Sequence, residues 1–460
     1  MSEKVDSPVA SPATAPAPPQ AEIKNILTGA TKRVPNAVAA NPLAWHKGDT
    51  IWMLSLFGTA IGAGTLFLPI NAGVGGIIPL IVMAIIAFPM AYFAHRGLTR
   101  FVLSGTSASD DITVVAEEQF GRRAGNWITV LYFLSVYPIL LVYAVSITNT
   151  VQSFLVNQLH VGAPPRWLLS LLLVTGLIAI VSFGEAVITR VMSTLVFPFI
   201  AVLVALGLFL VPFWNTSLFH TFSLSSVAKT TGQGLGATLW LLMPVIVFAF
   251  NHSPIISSFA VDNRKTYGIF AERKTSRILA YAELLMVVVV MFFVLSCSLA
   301  LSPADLMEAK HQNVTILTYL ATRFNQPVIE WVGPIVAMIA VTKSFLGHYL
   351  GASEGFEGMV VRIGKNHQRA LTATWLHRFT AVFMLLTAWL VSWANPSILD
   401  MIETMCGPII ALLLFILPMY AIKKVPAMAK YRGHISNLFV VITGLIAVTA
   451  IFYNIYLMFA

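Results

Sequence analysis

The sequence predicts an all-α integral membrane protein with eleven transmembrane helices, ten of them in two successive sets of five. Three observations carry that prediction. Hydrophobic residues make up 57% of the 460-residue chain and charged residues only 10%, against roughly 45–50% and 25% in soluble globular proteins. Mean hydropathy is +0.81, and apolar runs recur from Ile51 to the last residue, leaving no stretch that would fold as a water-soluble catalytic domain. The first and sixth of these runs are each interrupted about midway by Gly or Pro. The formal charge of +9 does not indicate a nucleic-acid partner, because Lys and Arg lie in short loops between apolar segments and form no basic stripe. Cys297 and Cys406 both fall inside apolar runs, which excludes a disulfide scaffold and a metal-type cysteine spacing.

Residues 1–48 contain the Pro/Ala/Ser-rich stretch SPVASPATAPAPPQ and are expected to be a disordered cytoplasmic tail, too poor in apolar side chains to bury a core. A secretory signal needs an apolar core within about the first thirty residues. The first such run here starts at Ile51, so the first span itself is expected to direct insertion. Residues 49–460 are expected to form one membrane domain. A spanning helix needs about 20 mainly apolar residues, and the runs near 50–74, 77–94, 126–155, 167–184, 190–212, 236–259, 278–301, 330–353, 372–393, 398–420 and 435–458 qualify. The gaps SGTSASDD, GAPPR, DNRKTYG, GKNHQ and ANPS supply turn chemistry between them. Repeat one covers about 50–212, repeat two about 236–420, and the run near 435–458 is an extra helix. An odd count puts the termini on opposite sides of the membrane. With the N-terminus cytoplasmic, the 28 Lys and Arg fall inside except for Arg166, Lys229, Lys310 and Arg323 outside and Lys343 within a span. The positive-inside rule therefore predicts a periplasmic C-terminus. Trp52, Trp127, Trp167, Trp214, Trp240, Trp331 and Trp393 fall at predicted span ends, as interfacial anchors do.

Every backbone N–H and C=O must be satisfied in hydrocarbon, so an interrupted span has to face protein, water or ligand. Run one reads Gly58-Thr-Ala-Ile-Gly62-Ala-Gly64-Thr-Leu-Phe-Leu-Pro69, and run six reads Phe248-Ala-Phe-Asn251-His252-Ser253-Pro254-Ile-Ile-Ser257-Ser258. Paired interruptions in the opening helices of two successive sets of five point to an inverted repeat with its binding site at the repeat interface. Unwinding frees N–H groups at the positive end of one half-helix and C=O groups at the negative end of the other, which together suit an amino acid zwitterion. Gly62 and Gly64 leave room for a carboxylate to approach backbone. Carbonyls near Thr59 and Ala60, and from Phe248 to Asn251, are placed to accept from an ammonium. Close helix packing through small residues is the alternative use of Gly62 and Gly64.

Lys343, in Ile-Ala-Val-Thr-Lys343-Ser344, lies about nine residues from the inner end of run eight, or about 13 Å at helical rise. An intramembrane Lys costs about 2.5–3.5 kcal/mol even on insertion scales and is a functional-site candidate by default. No acidic partner is evident at its depth: Glu354 lies further along the same run, Glu283 near an inner end, and Glu403 towards the outer end of run ten. Carbonyl oxygens from a broken helix would favour its ammonium, so a protonated Lys343 would stand where a sodium ion is otherwise held, and its release would replace ion release. The alternative is a lysine that caps carbonyls permanently. His252 is a candidate to orient substrate or relay a proton, or is a neutral residue satisfied within the break. His348 reads as structural. Tyr143, Ser146 and Asn149 share a face of run three and either line a cavity or bond between helices. Glu403 belongs to an outer gate or reaches the interface, and residues 302–324 form an amphipathic outer lid or a solvated loop.

Gly58-Thr-Ala-Ile-Gly-Ala-Gly64, Ser135-Val-Tyr-Pro-Ile-Leu, Phe250-Asn-His-Ser-Pro-Ile-Ile-Ser-Ser-Phe259, Thr342-Lys-Ser-Phe-Leu-Gly-His-Tyr-Leu-Gly351 and Pro418-Met-Tyr-Ala-Ile422 closely resemble the bacterial hydroxy/aromatic amino acid permeases. The resemblance runs from about Trp45 to Tyr453. It implies the LeuT-like five-plus-five inverted-repeat fold of the amino acid/polyamine/organocation superfamily, and import of L-serine by proton symport across the bacterial inner membrane. A threonine/serine or broader small neutral amino acid:proton symporter is the alternative, and a transporter-derived amino acid sensor is a different class. By motif, Thr59, Ala60, Gly62 and Gly64 match the substrate-binding segment of the first helix, and Phe250, Asn251, His252 and Ser253 match that of the sixth, with Tyr143 and Asn149 on the third lining the cavity. Lys343 and Ser344 fall where a sodium-coupled relative supplies hydroxyl ligands, and Thr65 falls where such a relative has an ion-ligand Asn. Both differences imply a proton as the coupling ion, with no other cofactor and no metal. No enzyme is expected: His252 beside Ser253 is the sole nucleophile-base candidate, and adjacent helical residues do not face each other. The expected partners are the small-molecule substrate and lipid, with no obligate protein partner.

Overall fold

The computed structural model describes residues 41–181, 185–221, 234–324, 326–366 and 373–459. The expected tail lies outside the described residues up to position 40, as does Lys229. All regular structure among the described residues is helical, as the apolar runs predict. The helices are α1 (Lys47–Ala60), α2 (Ala63–Val74), α3 (Ile77–Leu103), α4 (Ile112–Asn157), α5 (Arg166–Val181), α6 (Glu185–Leu210), α7 (Leu235–Ala249), α8 (Ser253–Tyr267), α9 (Ala271–Ala300), α10 (Pro303–Gln312), α11 (Ile316–Arg323), α12 (Pro327–Asn366) and α13 (Ala373–Ala394). Two more follow, α14 (Ile398–Lys424) and α15 (Ile435–Phe459). Eight described helical segments are long and apolar enough to cross a membrane, or up to nine if the bent pair α1 and α2 is one span. The chain is thus a multi-pass membrane protein.

Several helices outrun the apolar runs that announce them. α3 continues to Leu103, α9 starts back at Ala271, and α12 continues to Asn366. Hydropathy marks only the part of a helix that lipid solvates, whereas the i to i−4 hydrogen-bond ladder runs on through polar turns such as Glu272–Lys274. α4 starts at Ile112, well before the expected 126, because the Asp111 side chain accepts from the amides of Thr113 and Val114 and caps a first helical stretch. Gly121, at φ 81°, then turns the chain into the long apolar rod.

α14 carries two π-helical turns that nothing in the sequence reading anticipated, Ile402–Cys406 and Leu412–Ile416. Each is followed at once by a proline in the next turn, Pro408 and Pro418. A proline removes one N–H and pushes against the carbonyl four residues back, and widening to an i to i−5 turn relieves both.

α12 packs along α4, and α9 packs against α1, α3 and α6. The bulk of the buried core, including Phe57, Phe67, Phe101, Phe250, Phe259 and Phe345, lies between these rods. Residues 302–324 form two short helices rather than a loop. Ser302 and Asp305 make a reciprocal capping box at the start of α10, and Leu306, Ala309 and most of α11 are buried against α2 and α12.

Candidate functional site

Both sequence interruptions are breaks in the structure. Between α1 and α2 the chain bends by 57°. Ile61 is extended (φ −77°, ψ 111°), and Gly62 is extended too (φ −163°, ψ −144°). The first amides of α2, at Ala63 and Gly64, have no acceptor within their own helix, and the last carbonyls of α1 have no donor within theirs. Between α7 and α8 the ladder stops at Phe250, and α8 restarts at Ser253 with Pro254 in its first turn. The Asn251 side chain there accepts from the Ser253 amide at 3.1 Å.

Glycine brings the two breaks together. A Cβ on Gly64 would sit 2.7 Å from Ala249 Cα and 2.9 Å from Phe248 Cδ1, so α2 and α7 touch at a distance that only glycine permits. A Cβ on Gly62 would sit 2.5 Å from Ser344 Oγ and 2.6 Å from Tyr143 Oη. Since extended backbone suits any residue, Gly62 is required here by close approach and not by torsion. Tyr143 from α4 and Ser344 from α12 thus close over the first break, and His348 packs its ring edge-on to Tyr143 with centroids 5.1 Å apart.

Two carbonyls at the end of α1 are taken by α12. Lys343 Nζ donates to Gly58 O at 2.7 Å, and Ser344 Oγ donates to Ile61 O at 3.3 Å. Lys343 is only 4% exposed, and its ammonium also lies 5.8 Å from the Phe199 ring centroid. The partner of the buried lysine is therefore a broken-helix carbonyl.

The other residues singled out in the sequence divide into those at the breaks and those elsewhere. Ala60, Phe250, Asn251, His252 and Ser253 are buried at the breaks. Thr59 is half-buried, and its hydroxyl donates to Ser55 O at 2.9 Å within its own helix. Asn149 is not at the breaks: its Nδ2 donates to Asn313 O at 2.7 Å in the connection between α10 and α11. Ser146 is buried, with no hydrogen bond to its hydroxyl among the described residues, and so is Thr65. His348 Nδ1 lies 2.8 Å from Ser344 O.

Some polar groups at depth lie where hydropathy gives no sign of them. Glu283 is not near a helix end. α9 begins at Ala271, so Glu283 is twelve residues in, about 18 Å at helical rise, and it is fully buried. It lies within 3.3 Å of His252 Nε2 and 3.2 Å of His95 Nδ1. His95 has no spacing motif that marks it, since it lies one residue past the apolar run of α3. Glu403 is 4% exposed and accepts from Asn71 Nδ2 at 2.7 Å, tying α14 to α2. At the end of the bundle holding the start of α1, Asp49 pairs with Lys274 at 2.6 Å and accepts from Tyr267 Oη at 2.6 Å. Trp52 Nε1 donates to Asp262 Oδ2 at 2.8 Å there.

Comparison with known proteins follows the same lines. Residues 51–458 match the model of the tryptophan/tyrosine permease family. The chain is 62% identical over 413 residues to the serine transporter SdaC of Escherichia coli K12, covering 90% of this chain and 96% of that one. It is 45% identical over 427 residues to the threonine/serine transporter TdcC of Escherichia fergusonii, with the same coverage of 90% and 96%. Among solved structures it resembles a mutant of the Eremococcus coleocola manganese transporter with a TM-score of 0.58 at 13% identity, covering 92% of this chain and 88% of that one. At that identity the likeness concerns the fold alone. With nearly its whole membrane portion matched, the chain belongs to the tryptophan/tyrosine permease family.

Proposed function

We propose that the protein imports L-serine by proton symport across the bacterial inner membrane through alternating access. The observation that carries this is the 62% identity to a serine transporter across 96% of that protein's length. The geometry agrees with it: two helix breaks meet at Gly64 and Ala249, with the Gly62 backbone held close against the hydroxyls of Tyr143 and Ser344. In this reading the amides of Ala63 and Gly64 hold the substrate carboxylate at the positive end of α2. The carbonyls of Thr59, Ala60 and Phe248 to Asn251 receive its ammonium. Phe250, Asn251, His252 and Ser253 close the site from the second break, and Tyr143 lines it from α4. Asn149 contributes through the lid, to whose backbone it is bonded.

The proton is the coupling ion, and Lys343 with Ser344 is the coupling pair. With Nζ bonded to Gly58 O, a charged Lys343 ties α12 to the end of α1, and its deprotonation would loosen that tie and free α1 to swing. The ties at the two ends of the bundle suit such a cycle. Asp49–Lys274 and Trp52–Asp262 fasten α1 to α9 and α8 at the cytoplasmic end. Asn71–Glu403 and Asn149–Asn313 fasten the periplasmic end. Substrate leaves only when one of these sets parts.

The topology belongs to the same proposal: eleven spans, LeuT-like five-plus-five inverted repeats over about 50–212 and 236–420, an extra last helix, a cytoplasmic N-terminal tail and a periplasmic C-terminus. The short apolar helices Arg166–Val181 and Leu235–Ala249 support that count. The first adds a span, and the second pairs across the break with α8, separating it from α9. The TdcC relationship favours threonine as a second substrate. A site of this kind separates small side chains only modestly, since a methylene is worth about 1–3 kcal/mol.

The test is uptake by proteoliposomes. Radiolabelled serine is expected to accumulate under an imposed pH gradient, acid outside, and excess unlabelled threonine to compete. Binding without accumulation would make the protein a sensor, and absence of both would end the proposal.

A further inference from the structure

Three ionisable side chains from three different elements meet in full burial beside the second break. His95 on α3, His252 in the break and Glu283 on α9 are each no more than 1% exposed, and one donor atom from each lies within 4.8 Å of the others. The two imidazoles stack face to face, with centroids 3.5 Å apart and planes 11° apart. Glu283 Oε1 lies 3.2 Å from His95 Nδ1 and 3.3 Å from His252 Nε2. Neither Glu283 oxygen nor either ring nitrogen of His252 has a well-formed hydrogen bond among the described residues. Unsatisfied buried polar atoms of this kind are costly and need a use.

The tautomer of His95 follows from its neighbours. Its Nδ1 is 2.8 Å from Ala91 O, which only accepts, so Nδ1 carries a hydrogen. Its Nε2 therefore presents a lone pair, and it accepts from the backbone N–H of His252 at 3.2 Å. That amide is one of the donors released by the break, so the imidazole of His95 is what satisfies the break.

We propose that His95, His252 and Glu283 form a second proton-holding site, in which loading with one proton frees the backbone N–H of His252 for substrate. This deepens the proposed symport and rests on it. With Glu283 ionised and both imidazoles neutral the cluster carries one negative charge. One added proton, forming an N–H at His95 Nε2 beside the ionised Glu283, makes it neutral. A second is opposed, because it would put a cation on His252 stacked face to face on the cation already at His95. A proton on His95 Nε2 turns that atom from acceptor to donor, and the His252 amide loses its partner. The carboxylate of an incoming amino acid is the acceptor that replaces it. Proton first and substrate second is then the favoured order of loading.

Several ionisable groups on the elements packed around Glu283 are engaged elsewhere. On α1, Asp49 pairs with Lys274, nine residues before Glu283 on α9 and about 13 Å away at helical rise. On α3, Arg96 stacks on Tyr92 and Phe93, and Arg100 pairs with Glu272. On α8, Asp262 accepts from Trp52, and Arg264 donates to Gly105 O. The described side chains of α6, residues 195–210, include no ionisable group, nor does α2. A metal ion suits the cluster less well, since both ring nitrogens of His95 are already committed to backbone.

Two independent measurements test the proposal. In proteoliposomes holding a pH-sensitive dye, serine is expected to drive proton entry with the wild type. Glu283→Gln and His95→Gln are each expected to abolish that entry and the pH-driven accumulation, while serine exchange persists at a reduced rate. Accumulation by Glu283→Gln equal to wild type would overturn the proposal. The second measurement needs no transport: a pH-difference infrared spectrum of the purified protein is expected to contain the ring stretch of a protonated imidazole that His95→Gln removes. An identical spectrum for that variant would overturn the proposal, as would manganese or zinc binding that the variant abolishes. If the wild type moves no serine at all, the symport reading fails and the infrared result alone decides the cluster. If Glu283→Gln aggregates, His95→Gln decides, by proton entry and by loss of the same titrating band.

Discussion

Gly62→Ala is the smallest change that tests the site, because it adds one methyl where the structure has no room. The new Cβ would stand 2.5 Å from Ser344 Oγ and 2.6 Å from Tyr143 Oη, with Ser344 Cβ behind at 3.1 Å. Two hydroxyls on different helices, α4 and α12, must both give way, and Ser344 cannot move without losing Ile61 O. Overpacking of this kind costs about 1–3 kcal/mol. If the substrate carboxylate occupies the same space, that cost converts to an affinity loss of about five- to 150-fold. Radiolabelled serine binding to purified protein measures the loss, and thermal unfolding of the substrate-free protein measures the clash by itself. Removing the obstructing oxygens with Tyr143→Phe and Ser344→Ala is expected to restore part of the thermal stability of Gly62→Ala, a non-additivity expected only for side chains in contact. A Gly62→Ala protein that binds serine as tightly as wild type and unfolds at the same temperature would refute both the close approach and the pocket.

Lys343→Met keeps the apolar stem and removes the ammonium from Gly58 O; pH-driven serine accumulation is expected to vanish while counterflow exchange remains, and full accumulation in that assay would exclude Lys343 from coupling. Asp49→Asn leaves the Lys274 ammonium buried without its counter-ion, a loss of about 3–5 kcal/mol for a buried pair, expected as a lowered unfolding temperature and as increased labelling of a cysteine placed at Leu54. Asp305 gives a pH dependence outside the membrane. Burial raises its pKa, but hydrogen bonds from Ser302 and Arg323 outweigh that and hold the carboxyl below the ordinary value. A depressed folded value means that its contribution is present at neutral pH and is lost as pH falls below about 4, through the folded pKa. Hydrogen exchange across 303–323 is therefore expected to accelerate, relative to the rest of the chain, at that pH. In Arg323→Gln the acceleration is expected to begin at a higher pH.

Hydropathy alone located the helical rods, because lipid imposes a length and a polarity on any segment that crosses it. The same constraint made the breaks at Gly62 and at Asn251–Pro254 legible, since Gly and Pro inside a spanning run have few other uses. Lys343 stood out because a charge at depth is costly. The helix ends were not legible to the same degree. The Asp111 cap, the polar first turns of α9 and the π turns of α14 depend on local hydrogen bonding, which hydropathy does not register.

Side-chain partnerships depended on tertiary structure almost entirely. Gly58 and Lys343 are 285 residues apart, and only the folded bundle brings the lysine on α12 within reach of that carbonyl. The apolar run that marks α9 begins only at 278, five residues before Glu283, although the helix itself begins at Ala271, and His95 carries no pattern at all. Periodicity and composition report the face and the solvent of one segment. Which atoms satisfy a buried polar group depends on how separate helices are rotated and shifted against one another, and that is decided only when the whole bundle packs.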